Sequence, residues 1–283
     1  MNHVHEEQLL YVYAVTRAFA APLPDGVSGL DGEPPGLIEH RGLCAAVSRV
    51  PAEDFDAIPL RAHLEDLDWL GRTARTHQAV IAALATVTCP VPLRLATVCR
   101  DESGVRRLLD AGRARFVSAV ERLDGRVEWG VKVYVQPQPP QPARELNAAT
   151  GRDYLRQRLG QRQSRDETWR RAGTLSRALY AELCERAEAG RLHPPQNARL
   201  SGEPGENVLN AAYLVPHERS EEFVSAVRDF IPHIEGVRVE LTGPWAPYSF
   251  AGGPDDGPGQ QDRRAQGGHE RDDGPGRAHL EGQ

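Results

Sequence analysis

Among 283 residues the chain has one lysine, one methionine, four scattered cysteines and no long apolar run, and each scarcity removes a class of function. Lys132 is the single lysine, so arginine carries almost all the positive charge, a preference read first as codon bias and second as phosphate or carboxylate recognition. The 34 basic and 40 acidic side chains leave a formal charge of −6, without the basic excess that favours nucleic acid or an anionic membrane surface. The longest apolar stretches, such as residues 80–87, fall far short of the roughly 20 residues a bilayer demands. The opening Met1-Asn2-His3-Val4-His5-Glu6-Glu7 has neither the basic start nor the apolar core of a secretory signal. Cys44, Cys89, Cys99 and Cys184 form no C-x-x-C pair and are expected as buried thiols in a reducing cytosol. A cytoplasmic location follows as the expectation.

Signatures of chemistry are equally scarce. Neither G-x-x-x-x-G-K-[ST] nor a G-x-G-x-x-G between strand and helix is present, and there is no G-x-S-x-G elbow. No catalytic residue, cofactor or metal is therefore expected. His3 and His5 make an H-x-H at a terminus, a poor place to fix metal geometry. His63 and His77 lie near one helical face with Glu65, Asp66 and Asp68, but consecutive carboxylates spread around a helix, so a solvated flank is the better reading. Arg106-Arg107 and Arg170-Arg171 read as solvated faces of amphipathic helices.

What is present is an alternation of strand and helix patterns, with 40% hydrophobic and 26% charged residues as in ordinary globular proteins. Leu9-Leu10-Tyr11-Val12-Tyr13-Ala14-Val15 reads as an opening strand, and Arg41-Gly42 as the turn of a hairpin. Residues 59–86 read as a helix with Leu64, Leu67, Leu70, Ala74, His77, Ile81 and Leu84 on one face. Residues 91–98 follow as a short strand. Asp101 caps a second helix that carries Val105, Leu108, Leu109, Phe116, Val120 and Leu123, with Gly112 a weak point inside it.

Residues 127–135 read as a strand, 136–142 as a stiff Pro-rich connection, and about 151–189 as a long helix whose first half is Arg and Gln. A brief strand near Ala198-Arg199-Leu200, a longer one at 208–215, a helix capped by Ser220 and a strand at 237–241 complete the order. The expected fold is thus α+β in two domains: residues 1–125 on a mostly antiparallel sheet, and 126–250 as a ferredoxin-like, modified βαββαβ unit. Residues 251–283, rich in Gly, Pro, Asp and Arg, are expected to be a disordered tail.

One segment stands out: Leu241-Thr242-Gly243-Pro244-Trp245-Ala246-Pro247-Tyr248-Ser249-Phe250. Its prolines force an extended or turning backbone, and three large aromatics gather just before the tail. The favoured reading is a clamp that folds them back on the domain; the functional alternative is an apolar patch that docks a partner.

This segment resembles the L-T-G-P-W-P-P-Y-S-F signature that ends the folded part of the gas vesicle L/F protein family. Further elements agree in the same order. Tyr11-Val12-Tyr13-Ala14-Val15 is similar to the family's Y-x-Y-G-I strand, and His77 with Val91-Pro92-Leu93-Arg94-Leu95-Ala96-Thr97 to its H…L-P-M-R-F-G-T element. Glu128-Trp129-Gly130-Val131-Lys132-Val133, Gly151-Arg152-Asp153-Tyr154-Leu155 and Asn210-Ala211-Ala212-Tyr213-Leu214-Val215 resemble the later elements. Ala246 stands where the family usually has Pro, and Leu95-Ala96 where it has Phe-Gly.

The resemblance covers about residues 9–250 and implies a non-enzymatic accessory of gas-vesicle assembly, located with the gas vesicle in the cytoplasm. The implied partners are the hydrophobic shell subunit and other gas vesicle accessory proteins. As an expectation, Trp245, Tyr248 and Phe250 form or support the contact surface, with Arg94 and His77 shaping the first domain. The competing expectations are a small-molecule-binding regulatory module and an enzyme with an unfamiliar acid–base pair. Either would bring His77 and Arg94 together in one concave pocket.

Overall fold

The computed structural model describes residues 7–136, 151–195, 204–230 and 236–252. Two antiparallel sheets carry the fold. In the first, β1 (Gln8–Arg17) pairs with β3 (Leu43–Pro51), which pairs with β2 (Gly36–His40). The β2–β3 hairpin closes on Arg41 and Gly42, both with positive φ (50° and 79°), the two-residue geometry that matches the strand twist. The other edge of β1 holds two short pieces, β4 (Val91–Pro92) and β5 (Val98–Cys99).

A bulge in β1 shapes the core. Val12 pairs with Val47 and Ala14 with Ala46, so Tyr13 is the extra residue. The side-chain alternation therefore slips: Tyr11, Tyr13 and Ala14 share one face, and Val12 and Val15 the other. The tyrosine face packs on Phe55 of α1 (Ala52–Phe55) and on Val80, Ile81 and Leu84 of α3 (Leu67–Ala85). The valine face packs on α4 (Glu102–Ala111) and α5 (Arg113–Leu123) through Val105, Leu109, Phe116 and Val120.

The second sheet has the order β7-β8-β6-β9, built from β6 (Arg126–Val135), β7 (Ala189–Leu192), β8 (Glu206–Pro216) and β9 (Val237–Trp245). Between them run α6 (Gly151–Arg186) and, after α2 (Ala57–His63) in the first half, α7 (Ser220–Phe230). Leu179 and Leu183 of α6 and Phe223 and Val227 of α7 cover one face, on Trp129, Val131, Val133 and Tyr213. From β8, Ala212 and Leu214 instead join the cluster around α4 and α5, so the two sheets share a core.

Several local expectations need correcting. The helix expected over 59–86 is two helices, because the Asp66 carboxylate caps a fresh start by accepting from Asp68 N and Trp69 N. Leu64 and Leu67, placed on the core face by periodicity, are consequently exposed. Gly112 divides α4 from α5, so the stripe from Val105 to Leu123 spans two helices. Residues 91–98 are not one strand: Ala96 enters the left-handed region at φ 63° and breaks the run into two bridges. The long helix ends at Arg186, short of the expected end near residue 189, and a strand not expected from the sequence, β7, follows at residues 189–192. The strand near Ala198-Arg199-Leu200, the connection 137–142, the His3/His5 pair and all of the tail but residues 251 and 252 lie outside the described residues.

Candidate functional site

The segment after β9 is built into the protein from both sides. At its start, Gly243 has φ 129°, and a Cβ there would lie 2.8 Å from the Glu128 carbonyl oxygen and 3.0 Å from the Trp129 ring. Only glycine fits that conformation and that approach. The Gly243–Pro244 peptide is cis. Trp245 follows as the last residue of β9 and stays 45% exposed, whereas Ala246 and Pro247 are buried. A single 3-10 turn, Tyr248–Phe250, then carries the chain back against the body.

Polar contacts fix this turn. Glu128 on β6 accepts from Ser249 twice, N to Oε2 and Oγ to Oε1, each at 2.7 Å. His193 Nε2 lies 2.9 Å from the same hydroxyl. Burial raises the Glu128 carboxyl above its usual range, while the Ser249 bonds and the Arg191 charge oppose that shift. Burial also lowers His193, with the Arg191 charge acting in the same sense. Arg122 of α5 donates to the Phe250 carbonyl at 2.6 Å and to that of Gly252 at 2.8 Å. Phe250 joins the cluster around α4 and α5, whereas Ala246 and Tyr248 join the tyrosine cluster on the opposite face of the first sheet. The segment therefore straps the second sheet to the first.

His77 lies under the strap, 4% exposed. Its Nδ1 is 2.8 Å from the Tyr11 hydroxyl, which also accepts from Ala96 N at 3.1 Å. Nε2 has no hydrogen bond of normal geometry among the described residues. Burial pushes His77 down to about 4, with the Leu93 backbone opposing. Its ring is 5.7 Å from those of Tyr11 and Tyr13 and 6.3 Å from that of Tyr248. A neutral, caged imidazole of this kind organises a core.

The five residues singled out from the sequence thus separate. His77, Tyr248 and Phe250 meet the strap and the core, while Trp245 and Arg94 face outward. Arg94 sits in the turn before Ala96, its carbonyl accepting from Thr97 N and Oγ1. Neither His77 nor Arg94 lines the groove between α6 and α7 described below. His63 is held by Asp54 at 3.2 Å and stacks on Trp69 at 4.9 Å, a structural arrangement. No metal-holding group of His, Cys, Asp and Glu occurs among the described residues, and none of their helices is long and apolar enough to cross a membrane.

A surface that sequence reasoning missed lies at the α2–α3 junction. Ile58 is 86% exposed and Leu67 71%, with Leu64 also exposed. The signal for it was Asp66, a capping residue in the middle of the apparent stripe.

Comparison with known proteins agrees over most of the chain. The family described as gas vesicle synthesis protein GvpL/GvpF matches residues 9–252. Gas vesicle protein L of Streptomyces sp. (strain CB03234) is 62% identical over 251 residues, covering 87% of this chain and 94% of that protein. Gas vesicle protein F of the same strain is 26% identical over 256 residues, covering 85% and 98% respectively. Among solved structures, gas vesicle protein GvpF from Microcystis aeruginosa aligns with a TM-score of 0.58 at 23% identity, covering 86% of this chain and 98% of that one, a likeness of fold.

Proposed function

Because this chain belongs to the GvpL/GvpF family of gas vesicle synthesis proteins, we propose that it is a non-catalytic accessory of gas-vesicle formation, acting in the cytoplasm through protein contacts. The observation that carries the reading is the family match across residues 9–252, reinforced by 62% identity to a gas vesicle protein L. The contrast of 62% with L against 26% with F in one strain supports an L-type assignment.

The partners in this reading are the hydrophobic shell subunit and other gas vesicle proteins. Contact with an apolar subunit needs exposed apolar surface, and Ile58, Leu64, Leu67 and Trp245 supply it. Tyr248 and Phe250 support that surface from beneath, by holding the strap that positions Trp245. Arg94 and His77 shape the first half, the former outside and the latter within its core. We read the halves as domains meeting near residue 125, the second ferredoxin-like, as its strand order β7-β8-β6-β9 supports. The buried environment of His77 and its separation from any described groove give no support to a small-molecule module or an acid–base enzyme.

Deletion of the gene in its host, followed by electron microscopy, tests the proposal. Loss or malformation of vesicles, restored by the gene in trans, is the expected result. Normal vesicles in a strain with no second L-type copy would overturn it.

A further inference from the structure

The two ends of α6 differ in chemistry. From Ala172 onward its residues enter the core, as Ala172, Leu175, Leu179 and Leu183 do. Before that, every described residue from 156 to 167 is exposed, Leu159 at 59%. Residues 151–171 hold seven arginines against three carboxylates, a net +4 in a chain of −6, so the other 262 residues carry −10. A helical segment whose described residues, 156–167, are all exposed gains little from tertiary packing and is marginal in water on its own.

An acidic groove lies at the other end of the same helix. Glu182 and Arg186 of α6 face Glu222, Ala226, Asp229 and Phe230 of α7 across a space of about 490 Å³. Glu182 pairs with Arg186 at 2.7 Å and Glu222 with Arg219 at 3.3 Å, which leaves the Asp229 carboxylate as the groove's net negative charge, beside Ala226 and Phe230, which suit an arginine's aliphatic stem. Arg162 and Glu182 are 20 residues apart on one helix, about 30 Å at the helical rise. The basic arm therefore cannot fold back into its own groove.

We propose that the arginine arm of one copy docks in the α6–α7 groove of a second copy, giving head-to-tail self-association. Complementary charge is the argument for a second copy as occupant, since both halves of the match are present in this chain. Such a contact joins different surfaces, so it propagates into a ring or an open row instead of stopping at a symmetric dimer. Guanidinium–carboxylate pairing sets its register, and salt weakens it because the groups are exposed.

Sedimentation velocity of the full chain tests this, at about 20 mM and about 500 mM salt, where screening lengths differ several-fold. The wild type is expected to sediment faster as concentration rises at low salt and to be monomeric at high salt. Arg162→Glu with Arg165→Glu, and separately Glu222→Arg with Asp229→Arg, are each expected to weaken association at least tenfold with unchanged circular dichroism. Mixing the two variants restores it, because each then meets a complementary surface. A wild type that stays monomeric at low salt, or association untouched by both reversals, would overturn the proposal. Failure of the mixture to associate would overturn the pairing of arm with groove.

Discussion

Ser249 gives both its backbone N–H and its hydroxyl proton to one carboxylate, that of Glu128, each across 2.7 Å. This pair fastens the aromatic strap to the central strand of the second sheet, and Arg122 fastens the strap's end to α5. Glu128→Ala leaves the Ser249 donors without their acceptor, at an expected cost of about 2 kcal/mol. Glu128→Gln keeps one acceptor oxygen and is expected to cost about half as much. Urea denaturation gives the magnitudes, and hydrogen exchange at residues 248–251 shows whether the strap loosens. Unchanged exchange there in Glu128→Ala would mean that apolar burial alone holds it.

Stability should depend on pH through His77. Its native pKa of about 4 lies below the ordinary 6.5, so the folded state disfavours the imidazolium. The contribution is fully present above 6.5 and is lost as pH falls towards 4, amounting to about 3 kcal/mol for a group this buried. Glu128, raised by burial, works in the opposite sense, its contribution growing as acid protonates it. Thermal melts from pH 7.5 to 4 are expected to fall steeply in the wild type. In His77→Phe they start lower and fall less. Parallel curves would remove His77 as the source.

Ala96 occupies the left-handed region at φ 63°, where an L side chain is strained, and its N–H is used by Tyr11. Ala96→Gly relieves the strain and is expected to stabilise the protein by about 0.5–1 kcal/mol, net of the added freedom of the unfolded chain. A loss of stability on chemical denaturation would contradict this reading of the turn.

Gly243 carries the reverse prediction. A methyl group there meets the Glu128 carbonyl and the Trp129 ring, at a φ of 129° that side chains avoid. Gly243→Ala is expected to destabilise by about 2 kcal/mol or more and to expose the strap to limited proteolysis. An unperturbed melting curve would show that β9 shifts to make room.

Much of this architecture was legible in the sequence, because Arg41-Gly42 and the stripe from Leu70 to Leu84 each specify one conformation. The failures share a cause: periodicity reads through interruptions. Asp66 and Gly112 restart helices inside continuous stripes, and Ala96 breaks an apolar run that otherwise looks like a strand. The bulge at Tyr13 has no marker in residue type; it is visible only once pairing with β3 is known. For the site, aromatic clustering before the tail identified the strap, but not which rings it hides. Tyr248 turns inward because Ser249 finds Glu128, a partner 121 residues away that no local pattern specifies.

In the proposed function, exposed apolar side chains and not a catalytic centre make the contacts. Co-purification of the other gas vesicle proteins with the tagged full chain, comparing wild type with Ile58→Asp/Leu67→Asp/Trp245→Ala, tests it most directly. All three positions are exposed, so circular dichroism and melting are expected to be unchanged. The variant is expected to capture the shell subunit at least tenfold less and to fail to restore vesicles in a deletion strain. A folded variant that still captures the shell subunit and restores vesicles would contradict it.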